Sequence, residues 1–220
     1  MPDIGTKISR TAFDSSAEAD ILSEAIEAIR AGEIVVYPTE TFYGIGADPF
    51  SPAALDRLFA LKKREPDKPV ALIAADIATA FALAREMPEA ARRLAEAFWP
   101  GPLTIVLPAR DGIPDPLIGP DGGVGVRVSP HPMARALAAG LGRPITATSA
   151  NLAGRPAATT IAEARAAFGD RVKVYLDGGK LAGGAPSTVV AFEAGGFRVI
   201  RAGAIGEQEI AAALSSGRGK

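Results

Sequence analysis

The 220-residue chain contains no cysteine and a single histidine, His131. The first absence excludes disulfides, thiol nucleophiles and cysteine-ligated zinc. The second excludes a histidine-rich metal site. Neither sign of charge dominates: 24 Lys and Arg stand against 25 Asp and Glu, a net charge of -1. That balance argues against a globally basic nucleic-acid binder and leaves room for a local basic cleft. No apolar run approaches the roughly 18 residues needed to span a bilayer. The opening MPDIGTKISRTAFDSS lacks a signal-peptide apolar core and contains acids, so the reading is a cytoplasmic protein with no membrane partner. Also missing are G-x-x-x-x-G-K-[ST], G-x-G-x-x-G after a strand, G-x-S-x-G and H-E-x-x-H. An ATP site in this chain would therefore hold phosphates without a P-loop, using isolated cations and polar loops.

What is present is an ordinary globular composition, 48% hydrophobic and 22% charged, in a length that makes one domain. The chain is organised around Val35–Ile73, VVYPTETFYGIGADPFSPAALDRLFALKKREPDKPVALI. A β-branched run breaks at Pro38 and sets Thr39, Glu40, Thr41 and Tyr43 against Gly44 and Gly46, a strand delivering polar groups into a loop. A helix follows, with Ser51 as N-cap, Pro52 at its first position, and Leu55, Leu58 and Phe59 on one face. Its last turn carries Lys62, Lys63 and Arg64, and Pro66 and Pro69 stop it. On spacing alone, that cluster is equally well a basic C-terminal turn on a solvated surface.

Residues 1–15 are expected to be an extended or loosely ordered lead-in to a domain over 16–214. The tail 215–220, SSGRGK, is expected to be disordered. Ser16 caps a predicted helix over Ala17–Arg30 that Gly32 ends. After the strand Ile34–Tyr37 and the central block come a strand at Val70–Ala74, a helix from Asp76 to Arg85 and another from Pro88 to Trp99. WPGPLT turns into a strand at Thr104–Leu107, and the lone Trp99 reads as packing. Residues 108–123, rich in Pro, Gly and Asp, form a long loop, a candidate cover. A strand at Val124–Val128 carries Arg127. A helix follows from His131, which orders the helix start. Pro144–Ala147 is a strand whose end holds Thr148, Ser149 and Asn151. Thr160 with Glu163 makes a capping box. Strands at Val172–Leu176, Thr188–Phe192 and Phe197–Arg201 and a short helix from Gly206 complete the pattern. The last two strands, joined by a short turn, should pair antiparallel. The fold class is α/β: one domain with a twisted, mixed parallel and antiparallel sheet flanked by helices.

PTETFYGIGAD with K-K-R and KPVALI, then WPGPLT at 99–104, VGVRV at 124–128, TSANLAGRP at 148–156, STVV at 187–190 and RAG at 201–203, resembles the YrdC/Sua5 family along nearly the whole chain. The resemblance implies a YrdC-like fold in its short, single-domain form. It also implies synthesis of threonylcarbamoyl-AMP and pyrophosphate from L-threonine, bicarbonate and ATP with Mg2+. A separate tRNA threonylcarbamoyl-transferase would use the product to modify adenosine 37, and direct tRNA contact would be weak at most. The family's K-x-R and S-x-N signatures fall on Lys62 with Arg64 and Ser149 with Asn151, implied as catalytic. By the same resemblance, Arg64, Lys68, Ser149, Asn151 and Arg201 face the nucleotide. Thr39, Thr41, Arg127 and Ser187 face threonine, with Arg127 pairing its carboxylate.

Taken singly, the same residues have plainer readings: Thr39 and Thr41 bonded within a turn, Ser149 and Asn151 capping a loop, Arg201 on a surface strand. Two departures from the family pattern stand out. Ile73 occupies a position where many members place a histidine that contacts the amino acid, and Ser129 replaces a common proline. The alternative functions are an RNA-binding, ribosome-associated module of the same fold, and a carbamoyl-adenylate enzyme acting on carbamoyl phosphate.

Overall fold

A computed structural model describes residues 7–10, 15–63, 69–193 and 196–215. Ten strands form one mixed sheet: β1 (Lys7–Arg10), β2 (Val35–Pro38), β3 (Tyr43–Gly46), β4 (Ala71–Ile73), β5 (Leu103–Pro108), β6 (Gly123–Arg127), β7 (Ile145–Ser149), β8 (Val174–Asp177), β9 (Thr188–Glu193) and β10 (Gly196–Arg201). Their spatial order is β1-β8-β2-β3-β7-β4-β6-β5-β9-β10. The pairs β1/β8, β2/β8, β4/β6 and β5/β9 run parallel, and the other five antiparallel, including the expected β9/β10 pair. The helices are α1 (Ser15–Arg30), α2 (Pro52–Lys62), α3 (Ile77–Phe81), α4 (Glu89–Phe98), α5 (Pro132–Leu141), α6 (Ile161–Phe168) and α7 (Glu207–Ser215).

Local chemistry sets several boundaries where the sequence placed them. Ser51 accepts from the Ala54 amide, Asp76 from Thr79, and Thr160 with Glu163 closes both halves of a capping box. His131 Nδ1 accepts from the Met133 amide at the start of α5. Trp99 is buried and its indole N–H donates to the Leu103 carbonyl, so it packs.

Other expectations shift. Thr39–Phe42 is a tight turn, and Tyr43–Gly46 pairs with Val35–Pro38 as a strand. The two glycines that read as loop are strand positions with a packing task. A Cβ on Gly44 would lie 2.8 Å from Tyr37 Cζ, and one on Gly46 3.0 Å from Tyr37 Cε1, so the buried ring needs both to be bare. Ser16, expected as a cap, lies inside α1, and α3 ends at Phe81, short of Arg85. The 108–123 segment is a loop, about half of it exposed, that is pinned by the buried Ile113 and Leu117 and contains a 3-10 turn at Asp115–Leu117. Lys7–Arg10 of the lead-in pairs with β8. The tail from residue 216 lies outside the described residues.

Strand alternation divides the sheet into two faces. On one, Val36, Ile45, Leu72, Leu103, Ile105, Leu107, Val124 and Val126 join Leu55, Leu58 and Leu61 of α2, Leu94 of α4, Phe168 of α6 and Ile210 of α7 in the larger core. On the other, Val35, Tyr37, Ile73 and Ile145 are covered by Ile21, Ala25 and Ile29 of α1 and Ala134 and Leu137 of α5. Those two helices cover only part of that face. The remainder is paved by Gly44, Ala71, Gly123, Gly125, Ala147, Thr104, Val106 and Val189, residues short enough to leave a hollow.

Candidate active site

That hollow is a cavity of about 740 Å³, within the range of small-molecule sites. Its floor is the bare half of the sheet. Its rim is built from the β2–β3 turn (Thr39, Thr41, Phe42), the end of β7 (Thr148, Ser149), the segment before β9 (Pro186, Ser187), the Gly119–Asp121 stretch and β10 (Arg198, Ile200, Arg201). Gly125 keeps the centre of the floor low, since a Cβ there would meet Thr104 Cγ2 at 3.3 Å and Ala71 Cβ at 3.5 Å.

Six of the ten residues singled out in the sequence line this cavity: Thr39, Thr41, Arg127, Ser149, Ser187 and Arg201. Lys62 and Asn151 bond directly to that set. Arg64 and Lys68 lie outside the described residues.

Lys62 is buried, so the solvated-turn reading fails for it. Its ammonium donates to the Ser149 carbonyl at 2.5 Å, the Asn151 carbonyl at 2.6 Å and Asn151 Oδ1 at 3.0 Å. Ser149 Oγ also donates to Asn151 Oδ1, at 2.6 Å, while Asn151 Nδ2 donates to the Arg155 carbonyl. The last residue of α2 thus locks the loop leaving β7, and the K-x-R lysine and the S-x-N pair form one unit. A buried ammonium surrounded by carbonyl and amide oxygens is the pairing that makes such burial tolerable.

Thr39 uses its hydroxyl within the turn, donating to the Phe42 carbonyl at 2.6 Å and accepting from the Thr41 and Phe42 amides. Thr41 sits at the tip, its Oγ1 3.4 Å from that of Thr39. The turn is held from the far side by the β8–β9 connection: the Gly183 amide donates to the Thr41 carbonyl, and the Tyr43 hydroxyl donates to the Gly179 carbonyl. Burial pushes the Tyr43 phenol well above its ordinary pKa, so it remains a neutral strut.

Arg127, at the end of β6, donates to Glu40 Oε1, and Ser129 Oγ donates to Glu40 Oε2 at 2.6 Å. Burial works against the Glu40 carboxylate. The Arg127 guanidinium and the Ser129 hydroxyl overcome it and hold the pKa below its ordinary value. On the opposite wall, Arg201 donates to the Ser187 carbonyl at 2.7 Å and to Ser187 Oγ at 2.9 Å, and Ser187 Oγ lies 3.0 Å from Thr104 Oγ1. Arg198 pairs with Asp121 across the rim at 2.9 Å. Three arginines line one small-floored cavity. Arg127 is ion-paired with Glu40, and Arg198 with Asp121 and Glu193. What they offer an anionic ligand is therefore the forked N–H geometry that matches carboxylate or phosphate, more than an excess of positive charge.

Sequence reasoning missed Glu40, Ser129 and Thr104 as parts of the site. Glu40 lay inside the quoted PTET run, and Thr104 is a polar residue alternating with Leu103 and Ile105 on a strand; both were visible signals. Ile73 is packed under α5 and is not among the cavity-lining residues.

The Sua5/YciO/YrdC family profile, described as telomere recombination, matches residues 27–203. The chain belongs to this family. A threonylcarbamoyl-AMP synthase from Chromohalobacter salexigens is 42% identical over 184 residues, covering 80% of this chain and 95% of the relative. The crystal structure of Pyrococcus abyssi Sua5 complexed with L-threonine superposes with a TM-score of 0.84 at 36% identity, covering 89% of this chain. The chain spans 57% of that longer protein. Escherichia coli YciO superposes with a TM-score of 0.78 at 25% identity, covering 87% of this chain and 92% of the other. The mixed sheet and its flanking helices are thus the YrdC-like fold. Among the described residues, no helix is long and apolar enough to cross a membrane.

Proposed function

We propose that the chain is an L-threonylcarbamoyladenylate synthase, which condenses L-threonine, bicarbonate and ATP to threonylcarbamoyl-AMP and pyrophosphate. The observation that carries this reading is the joining of the buried Lys62 with Ser149 and Asn151 into one hydrogen-bonded unit at the edge of an arginine-lined cavity. The relatives named threonylcarbamoyl-AMP synthase and the threonine-bound neighbour support it.

In the proposed reaction the threonine amine takes up the carbon of bicarbonate as a carbamate, with loss of water. A carbamate oxygen attacks the α-phosphorus of ATP, the bond to the bridging oxygen breaks, and pyrophosphate leaves. Both reactants are anionic, so the protein's task is to screen and align them. Arg127 takes the threonine carboxylate, with Thr41 and Ser187 around the amino acid and Thr39 fixing the turn. Ser149, Asn151 and Arg201, with Arg64 and Lys68, face the nucleotide, and Lys62 sets the Ser149–Asn151 loop. Arg201 binds Ser187 directly, so the two substrate groups adjoin at that contact. No general base is required, because a carbamate is already a nucleophile. Magnesium enters with the ATP phosphates, as part of the substrate. The product, a mixed anhydride, suits a downstream tRNA threonylcarbamoyl-transferase.

The test is pyrophosphate release by purified protein with ATP and magnesium present and threonine and bicarbonate each supplied or withheld. Release that needs both is expected, and release indifferent to threonine contradicts the proposal.

A further inference from the structure

This inference rests on the reading that an amino-acid carboxylate docks on Arg127. Glu40 is not among the residues lining the cavity. It stands behind Arg127 in the β2–β3 turn and grips one arm of the guanidinium. Its second oxygen is held by Ser129 Oγ, and Ser129 is fully buried and also accepts from the His131 amide at 3.2 Å. A chain of contacts therefore runs from the start of α5 through Ser129 and Glu40 to Arg127. Among the described residues, no further hydrogen-bond or ion-pair partner of the Arg127 guanidinium is seen, and the arginine lines the cavity.

We propose that Glu40 is a positioning residue for amino-acid recognition, presenting the remaining edge of Arg127 to the cavity as a preset dock for a carboxylate. The physical need is clear. An arginine side chain has large rotamer freedom, and its fork binds a carboxylate well only in one plane. Fixing that plane before the substrate arrives removes an ordering cost from binding. Glu40 also neutralises Arg127 locally, so the dock selects by shape more than by net charge. The lowered Glu40 pKa agrees with an ionised clamp at neutral pH. Nothing in this arrangement touches the Lys62 unit, so effects should fall on threonine and spare ATP.

The experiment compares wild type, Glu40→Ala, Glu40→Gln and Ser129→Ala. It uses pyrophosphate release with each substrate varied in turn, calorimetric binding of L-threonine and thermal melting. Glu40→Ala is expected to raise the KM for threonine about tenfold, the effect of losing one charge-assisted hydrogen bond, with the KM for ATP unchanged. Gln keeps an acceptor for Arg127 and a donor for Ser129, so Glu40→Gln should restore most of the loss. Ser129→Ala should raise the threonine KM about threefold. A wild type indifferent to threonine would overturn the underlying reading. A responsive wild type whose Glu40→Ala and Ser129→Ala variants keep its threonine KM and affinity would overturn the positioning claim alone. Should Glu40→Ala not fold, Ser129→Ala decides: a rise for threonine alone supports the claim, and no change or an equal rise for both substrates refutes it.

Discussion

Replacing Lys62 by methionine keeps most of the side-chain volume and removes the ammonium that joins α2 to the loop after β7. Three oxygens lose the ammonium: the Ser149 carbonyl at 2.5 Å, the Asn151 carbonyl at 2.6 Å and Asn151 Oδ1 at 3.0 Å, the last of which keeps Ser149 Oγ as a donor. Charge-assisted hydrogen bonds are worth about 1.5–3 kcal/mol each. Against this stands the several kcal/mol of desolvation that a buried ion costs and methionine does not. The balance is a net destabilisation of about 2–4 kcal/mol. In a chain of this size each kcal/mol moves Tm by about 2–4 °C, so a fall of about 10 °C is expected. The functional loss should be larger than the stability loss suggests. The released loop carries Ser149 and Asn151, and if it positions the nucleotide as proposed, a displacement of about 1 Å costs on the order of 100-fold in turnover. Calorimetric melting and threonine-dependent pyrophosphate release, measured below the variant's own Tm, separate the two effects. Wild-type melting together with wild-type turnover would refute the argument that Lys62 anchors this loop.

Three further expectations follow from the same geometry. Gly125→Leu places a side chain on the cavity floor between Thr104 and Ala71; folding should survive while the KM of at least one substrate rises about tenfold, measured by steady-state kinetics. Thr104→Val removes the hydroxyl 3.0 Å from Ser187 Oγ and should weaken calorimetric threonine binding about fivefold without lowering Tm appreciably. Burial pushes the His131 pKa below its ordinary value of 6.5, with Glu40 partly opposing. The unfolded chain therefore takes up a proton first, and stability falls as pH drops through 6.5 toward the lower folded pKa. Asn keeps a capping acceptor at α5; urea unfolding of His131→Asn on either side of that pH should show a flatter dependence than wild type.

The parts of the fold legible in the sequence were those decided by neighbours along the chain. Ser51–Pro52, Asp76, Thr160 with Glu163 and the proline-flanked His131 each mark a helix start through contacts within a few residues. The short turn before Gly196 announced an antiparallel pair for the same reason. Decisions made at long range were not legible. Gly44 and Gly46 look like loop residues until the Tyr37 ring from the neighbouring strand is placed across them. Lys62 looks like a solvated helix end until Ser149 and Asn151, 87 and 89 positions away, arrive to receive it. The 108–123 stretch reads as uniform loop because Ile113 and Leu117 are too sparse to show a period, although both are buried. For the site, the motifs marked the rim residues, but the Glu40–Arg127 pair joins two motifs that no spacing rule connects.

The most direct measurement follows the carbon of bicarbonate. With carbon-labelled bicarbonate, L-threonine, ATP and magnesium, the account predicts label in a nucleotide adduct formed in step with pyrophosphate. Pyrophosphate released with an unlabelled threonyl adenylate would show that the threonine carboxylate, and not a carbamate, attacks the α-phosphorus, and would contradict the account.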